Sequence, residues 1–156
     1  MIIGITGSIG SGKTTIARIF SKYWYNGIDA DEIGHQILKN NPSACKKIIK
    51  EFGSSILDKN KDIDRGKLGD AVFNDSNKLK KLNSIMHPII LKEIKNSIKQ
   101  IQKRCGSRTK IAIDAPLLLE TKTNYFVDMI VAVKCNKKNI LKRLNKKYTK
   151  EKIERI

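Results

Sequence analysis

An α/β fold built on a parallel sheet is what this sequence predicts, and three observations carry the prediction. The chain opens with a short apolar run, Met1–Thr6, followed by a glycine-rich turn and then by helical spacing from Lys13 to Tyr23. Two later apolar runs, Lys110–Ile113 and Met129–Val133, have strand length and are set apart by segments of helical or loop character. Between the first strand and the first helix lies Gly7-Ser8-Ile9-Gly10-Ser11-Gly12-Lys13-Thr14, which satisfies G-x-x-x-x-G-K-[ST] at every position.

The elements follow in order. Ile16, Ile19, Phe20 and Tyr23 mark one face of the first helix, with Asn26-Gly27 suited to its carboxyl cap. Ile28–Asp31 is a brief strand ending in acidic residues, and Trp24 and Tyr25 extend the apolar patch beside it. Glu32–Leu38 reads as a short helix stopped around Asn40-Asn41-Pro42. Ser43–Phe52 resumes helical spacing through Cys45, Ile48, Ile49 and Phe52. After a polar stretch, Asp58–Arg65, helical character returns at Lys67–Phe73, and Asn74–Ser76 is placed to cap a further helix. His87-Pro88 predicts a break or kink, because proline removes a backbone donor and restricts its predecessor. Ile89–Arg104 is strongly amphipathic through Ile90, Leu91, Ile94, Ile98 and Ile101. The strand ending at Asp114 and the strand Met129–Val133 follow. Asn136 caps a last helix whose Ile140, Leu141 and Leu144 face inward.

Composition narrows the class. The 156 residues are 40% hydrophobic and 30% charged with 3 prolines, the balance of one globular domain spanning 1–156. Three scattered cysteines (Cys45, Cys105, Cys135) and two histidines (His35, His87) exclude a disulfide framework, a four-thiolate zinc site and a histidine-rich metal site. There is no apolar run of membrane-spanning length and no basic leader at Met1–Gly7, so a cytoplasmic protein is expected.

The formal charge is +17, unevenly spread. Lys78–Lys110 carries ten basic residues against Glu93 alone, and Lys134–Ile156 ten against two. Such a surplus attracts nucleic acid, anionic lipid or phosphorylated small molecules. The abundance of Lys, Asn and Ile gives it a compositional reading as well. The placement of single arginines is more informative than the sum.

The glycine loop predicts chemistry. Its backbone amides form an anion nest at the start of a helix, whose free N–H groups and dipole favour phosphate. Lys13 would reach the β- and γ-phosphates, and the Thr14 hydroxyl would hold magnesium. This is a nucleoside triphosphate site. Asp29 and Asp31, at the end of the second strand, stand where a carboxylate orients or deprotonates an acceptor hydroxyl; Asp31 is assigned that role and Asp29 a supporting one. Asp114 ends an apolar strand, the place of a carboxylate that assists magnesium through water. Arg65 follows Asp62-Ile63-Asp64, where phosphate recognition and a surface ion pair are both open readings. Arg143, with Lys146 and Lys147, forms a basic group suited to closing over a triphosphate, and equally to a solvated helix face.

These segments, taken in sequence, resemble the dephospho-coenzyme A kinase family. The resemblance runs through Ile5–Thr14, Ile28–Asp31, Ile63-Asp64-Arg65 with Leu68, Val72-Phe73, Leu82 to Ile85-Met86-His87-Pro88, Asp114–Glu120, Val127-Asp128 and Arg143-Leu144. It implies a P-loop NTPase three-layer sandwich with five parallel strands, a helical acceptor-binding region at about 35–104 and a small lid at about 140–156. It implies transfer of the ATP γ-phosphate to the ribose 3′-hydroxyl of dephospho-coenzyme A, the last step of coenzyme A synthesis. Asp31, Lys13 and Arg143 would be catalytic. Gly7, Ser8, Ile9, Gly10, Ser11, Gly12, Lys13, Thr14 and Arg143 would hold ATP, with Thr14 and Asp114 toward magnesium. Asp31, Arg65, His87, Pro88, Leu118 and Glu120 would meet the acceptor. The small-molecule substrate is the implied partner, without obligate nucleic acid or membrane, in a monomer or weak homo-oligomer.

The sequence departs from the family at three places. Lys147 stands where a second lid arginine is common, keeping charge but losing the bidentate fork. The linker Tyr23-Trp24-Tyr25-Asn26-Gly27 is short and aromatic. The family continues past the position of Ile156, so a carboxyl-terminal part with a final helix and residues near the adenine is expected beyond it. Two competing readings are a nucleoside or nucleotide kinase and a nucleic-acid-binding module. A GTPase is disfavoured, because Cys135-Asn136-Lys137-Lys138-Asn139 lacks the aspartate of a guanine-reading Asn-Lys-x-Asp.

Overall fold

A computed structural model describes residues 1–23, 25–73, 75–116, 118 and 123–145. The opening apolar run forms strand β1 (Ile2–Gly7), and helix α1 (Lys13–Lys22) follows the glycine turn. Next come β2 (Asn26–Asp29), α2 (Ala30–Asn40), α3 (Pro42–Phe52), α4 (Arg65–Phe73) and α5 (Ser76–Cys105). Strands β3 (Ile111–Asp114) and β4 (Met129–Val133) and helix α6 (Lys137–Leu144) complete the order. The chain divides into two compact units, Met1–Asp31 with Lys95–Ile156 and Glu32–Ile94.

The first unit holds a parallel sheet in the order β2-β3-β1-β4. The expected five strands are corrected to four among the described residues, where four segments pair in one sheet. Register aligns Ile5 and Asp29 with Asp114, and Gly7 with Val133. Parallel strands end on one edge, so Gly7, Asp29 and Asp114 come out together, where open α/β sheets present their ligands. Ile3, Ile5 and Ala112 form the core beneath, covered by Ile16, Ala17 and Phe20 of α1. Each large side chain so buried contributes about 1.5–3 kcal/mol.

The turn after α1 differs from expectation. Helix α1 ends at Lys22, and Asn26-Gly27 belong to β2 instead of forming a cap. Tertiary bonds account for this. The Asn26 backbone amide donates to the Lys110 carbonyl at 2.8 Å, and its side chain donates to Thr109 Oγ1 at 3.0 Å. Tyr25 packs edge-on against Phe20, with ring centroids 5.1 Å apart. Trp24 lies outside the described residues.

The helical unit has its own core of Ile37, Ala44, Ile48, Ile56, Leu68, Val72 and Met86. Polar side chains set its helix starts. Asn41 Oδ1 accepts from the Ala44 amide at 3.0 Å ahead of α3. Asp64 Oδ1 accepts from the Gly66 and Lys67 amides ahead of α4. Asp75 does the same for Asn77 and Lys78 ahead of α5, within the segment predicted to cap it.

The predicted break at His87-Pro88 does not occur; α5 runs unbroken from Ser76 to Cys105 with Pro88 inside it. An interior proline costs about 3 kcal/mol. That cost is outweighed by the apolar stripe on both sides of it, with Met86, Ile94 and Ile98 buried and Leu82, Ile85, Ile89 and Ile90 half-buried. In α6, Asn136 is the predicted cap, accepting from the Lys138 amide at 2.9 Å. Leu144 is buried, but Leu141 is exposed, a correction to the inward face expected of it. A helical arc admits only the residues about a turn apart, here Ile140 and Leu144. Lys146, Lys147 and Glu120 lie outside the described residues. No described helix is long and apolar enough to cross a membrane.

Candidate functional site

The glycine loop is built from conformations that only glycine holds easily. Gly10 has φ +75° and Gly12 φ +101°, both left-handed. Gly12 opens α1 with no side-chain cap, so the first helical amides are left to an external acceptor. The Ser11 hydroxyl is buried and has no hydrogen-bond partner among the described residues. Buried polar groups are normally satisfied, and an anion in the loop would supply what is missing.

A cavity of about 600 Å³ opens over this loop, lined by Gly7, Ser8, Ile9, Gly10, Gly12, Lys13, Thr14 and Thr15 from the loop and α1. Asp31, Pro116, Arg143 and Leu144 close its other sides. The residues assigned to triphosphate, acceptor hydroxyl and lid therefore share one cleft: Lys13, Asp31 and Arg143. Asp31 sits differently from expectation, as the second residue of α2 instead of a strand end. Its backbone amide donates to Asp29 Oδ1 at 2.9 Å, so Asp29 shapes the helix start that presents Asp31.

Lys13 and Asp114 meet directly. Lys13 Nζ pairs with Asp114 Oδ1, with the two side chains 11% and 9% exposed. Arg143 Nη1 donates to the Gly10 carbonyl at 2.8 Å, which lays α6 against the loop. The approach is close: a Cβ on Gly10 would stand 3.3 Å from Ile140 Cγ2, and one on Gly12 would stand 3.3 Å from Arg143 Nη1.

A second cleft, about 290 Å³, is lined by Thr14, Asp29 and Asp114 together with Arg18, Ser21 and Gly27. Hydroxyl and carboxylate oxygens are the donors magnesium takes. No group of three or more His, Cys, Asp or Glu suited to a metal occurs among the described residues. Thr14 and Asp114 thus fit a cation that keeps most of its waters and is held partly by phosphate, rather than an all-protein cage.

The remaining predicted residues are placed as follows. Leu118 is fully buried, against Gly4 of β1, where a Cβ would come within 2.3 Å of its Cδ1. Arg65, exposed, begins α4 in the helical unit, and His87 and Pro88 lie within α5. Sequence reasoning missed Thr6, whose Oγ1 donates to the Pro116 carbonyl at 2.9 Å and ties the wall of the cleft to β1. A threonine in a strand carries no signal of such a bond. Thr15, Pro116 and Leu144 were likewise not singled out as cleft residues.

Comparison with known proteins bears on the family and the fold. The family model for dephospho-CoA kinase (CoaE) matches residues 1–156. A dephospho-CoA kinase of Carboxydothermus hydrogenoformans is 44% identical over 143 residues, covering 92% of this chain and 68% of the relative. One from Borreliella burgdorferi is 40% identical over 146 residues, covering 93% and 67%. The crystal structure of TT1252 from Thermus thermophilus superposes with a TM-score of 0.78 at 24% identity, over 99% of this chain and 76% of that one. At that identity the structural match establishes the fold.

Proposed function

The chain belongs to the dephospho-CoA kinase family, and from that premise we propose that it transfers the γ-phosphoryl group of ATP to the ribose 3′-hydroxyl of dephospho-CoA, giving coenzyme A and ADP. This is the last step of coenzyme A synthesis. The observation that carries the reading is the single cleft into which the phosphate loop, Asp31 and Arg143 all open.

The roles follow from placement. The amides of the loop and the α1 amino end hold the triphosphate, with Lys13 on its terminal phosphates. Asp31 orients the acceptor hydroxyl and takes its proton as the new bond to phosphorus forms. Arg143, delivered by α6, offsets charge spreading over the transferring phosphoryl oxygens. Thr14 and Asp114 are the residues that would hold magnesium, which when bound supplies charge neutralisation at the phosphates. Arg65, His87, Pro88 and Glu120 are assigned to the acceptor side, with about 35–104 as the acceptor region and about 140–156 as the lid; Leu118, fully buried against Gly4 of β1, supports the sheet instead of meeting the acceptor. We place the enzyme in the cytoplasm, acting as a monomer or weak homo-oligomer.

The test is magnesium-dependent transfer from ATP to dephospho-CoA, with Asp31→Ala as the control. General-base contributions run to about 10²–10⁴-fold, so turnover in Asp31→Ala should fall by that order while ATP affinity stays within about twofold. Comparable retention of turnover would remove Asp31 from its role. Phosphorylation of nucleosides or nucleotides in place of dephospho-CoA would replace the acceptor assignment.

A further inference from the structure

We propose that the exposed face of α5 between Lys95 and Lys103, together with Tyr125, is a binding surface for single-stranded nucleic acid. It is a second surface, apart from the phosphate cleft, and it does not depend on the kinase reading.

The sequence of this stretch is one-sided. Between Glu93 and Asp114 stand Lys95, Lys99, Lys103, Arg104, Arg108 and Lys110, and no carboxylate. The other end of α5 shows the ordinary arrangement, with Lys78 paired to Asp75 and Lys81 to Glu51. Lys95, Lys99 and Lys103 have no carboxylate partner among the described residues, and all three are exposed. Their four-residue spacing puts them on one face of the helix, about 6 Å apart along its axis. Like charges at that spacing oppose the helix that carries them. A bound polyanion turns the same row into a gain, because each phosphate contact releases a counterion.

An aromatic side chain completes the surface. The Lys95 ammonium stands 4.7 Å from the ring centroid of Phe126, which sets the turn Thr123–Phe126 beside the row. Tyr125, the neighbour of Phe126 in that turn, is 77% exposed. Cations that track a backbone and an open ring on which a base stacks are the two components of single-strand recognition. An anionic membrane fits less well. A helix lying on a bilayer needs a free apolar face, whereas Ile94 and Ile98 are buried and Asn96 and Gln100 stand among the lysines. The row also runs away from the cleft. Helix α5 ends at Cys105, and the chain enters β3 at Ile111, at the edge of the sheet opposite Gly7, Asp29 and Asp114.

The probe is a fluorescein-labelled oligouridylate of about 12 nucleotides, a length one such surface spans, titrated by anisotropy at several potassium chloride concentrations. Each single-strand phosphate contact adds about 0.7 to the slope of log affinity against log salt. The variant Lys95→Gln/Lys99→Gln/Lys103→Gln should lower that slope by about 2 and weaken binding about tenfold or more at low salt. Lys46→Gln/Lys47→Gln/Lys50→Gln removes the same charge from exposed positions on α3 and should stay within about twofold of wild type. Tyr125→Ala should weaken binding about fivefold with the salt slope unchanged, as expected for lost stacking. Equal weakening by the two triple variants would assign the binding to net charge and overturn the proposal. So would wild type that does not bind the probe, or probe displaced by saturating ATP or dephospho-CoA. Binding to phosphatidylglycerol vesicles without binding to the probe would overturn it in favour of a membrane surface. Should the α5 triple variant fail to fold by circular dichroism, Lys99→Gln/Lys103→Gln leaves the Lys95–Phe126 contact in place. Its slope should fall by about 1, and an unchanged slope overturns the proposal.

Discussion

Three glycines of the phosphate loop are required for different reasons, and the difference is testable. Gly10 and Gly12 adopt left-handed backbone conformations. Gly7 does not; its constraint is space, since a Cβ there would stand 2.6 Å from the Val133 carbonyl oxygen and 2.8 Å from Ser11 Oγ. A backbone carbonyl in a paired strand cannot rotate away as a side-chain tip can. Gly7→Ala should therefore push β4 or the loop aside, destabilising the chain by about 1–3 kcal/mol in urea and weakening ATP binding in the same preparation. Stability and affinity both unchanged would show that the approach is looser than these distances say. The glycine-lysine-threonine pattern told the identity of this loop in advance, because each residue type has a local reason to be there. The contacts that complete the site were not legible. Arg143 to Gly10 and Thr6 to Pro116 join residues more than a hundred positions apart, and no local pattern encodes such a partner.

Secondary structure was legible where local chemistry decided it and misread where packing decided it. The start of α5 belongs to the first kind. Asp75 accepts from the Lys78 and Asn77 amides, and these hydrogen bonds, aided by the nearby Lys78 and Lys81 ammonium groups, hold its carboxyl below the ordinary aspartate range. A carboxylate whose pKa is lower in the folded chain stabilises it above the unfolded pKa, and that contribution is lost as pH falls through the folded value. Asparagine caps helices about as well but does not titrate. Thermal unfolding of Asp75→Asn and wild type across the acid range should show wild type losing its advantage as pH drops below the aspartate range. A difference in melting temperature that is constant with pH would mean the carboxylate's charge has no part in the cap. Pro88 and Asn26-Gly27 belong to the second kind. Proline breaks helices and Asn-Gly ends them in short peptides, yet here a buried stripe on α5 and the bonds of Asn26 to Thr109 and Lys110 prevail. Sheet order was out of reach for the same reason: periodicity announces strands, but β1 lies between β3 and β4 only because the tertiary fold places it there.

The charge of the whole molecule is the feature that sequence stated most loudly and explained least. A formal +17 is large for 156 residues, and composition alone accounts for it if the lysines are merely solvated. The site offers a way to distinguish the readings. Among the described residues lining the cleft, Lys13 is paired with Asp114 and Arg143 donates to the Gly10 carbonyl, while the surplus acts from outside, as a field drawing anions inward. Such a field reaches about 10 Å at 0.1 M salt and about 3 Å at 1 M. Interactions inside a shielded cleft are screened far less. If the surplus recruits substrate, KM for ATP should rise several-fold between about 0.05 and 0.5 M potassium chloride while kcat changes little, because chemistry occurs after capture. If the lysines are passive, KM stays flat with salt. A fall in kcat with KM unchanged would point instead to screening within the site, and would contradict the shielding of the Lys13–Asp114 pair on which its electrostatics were argued.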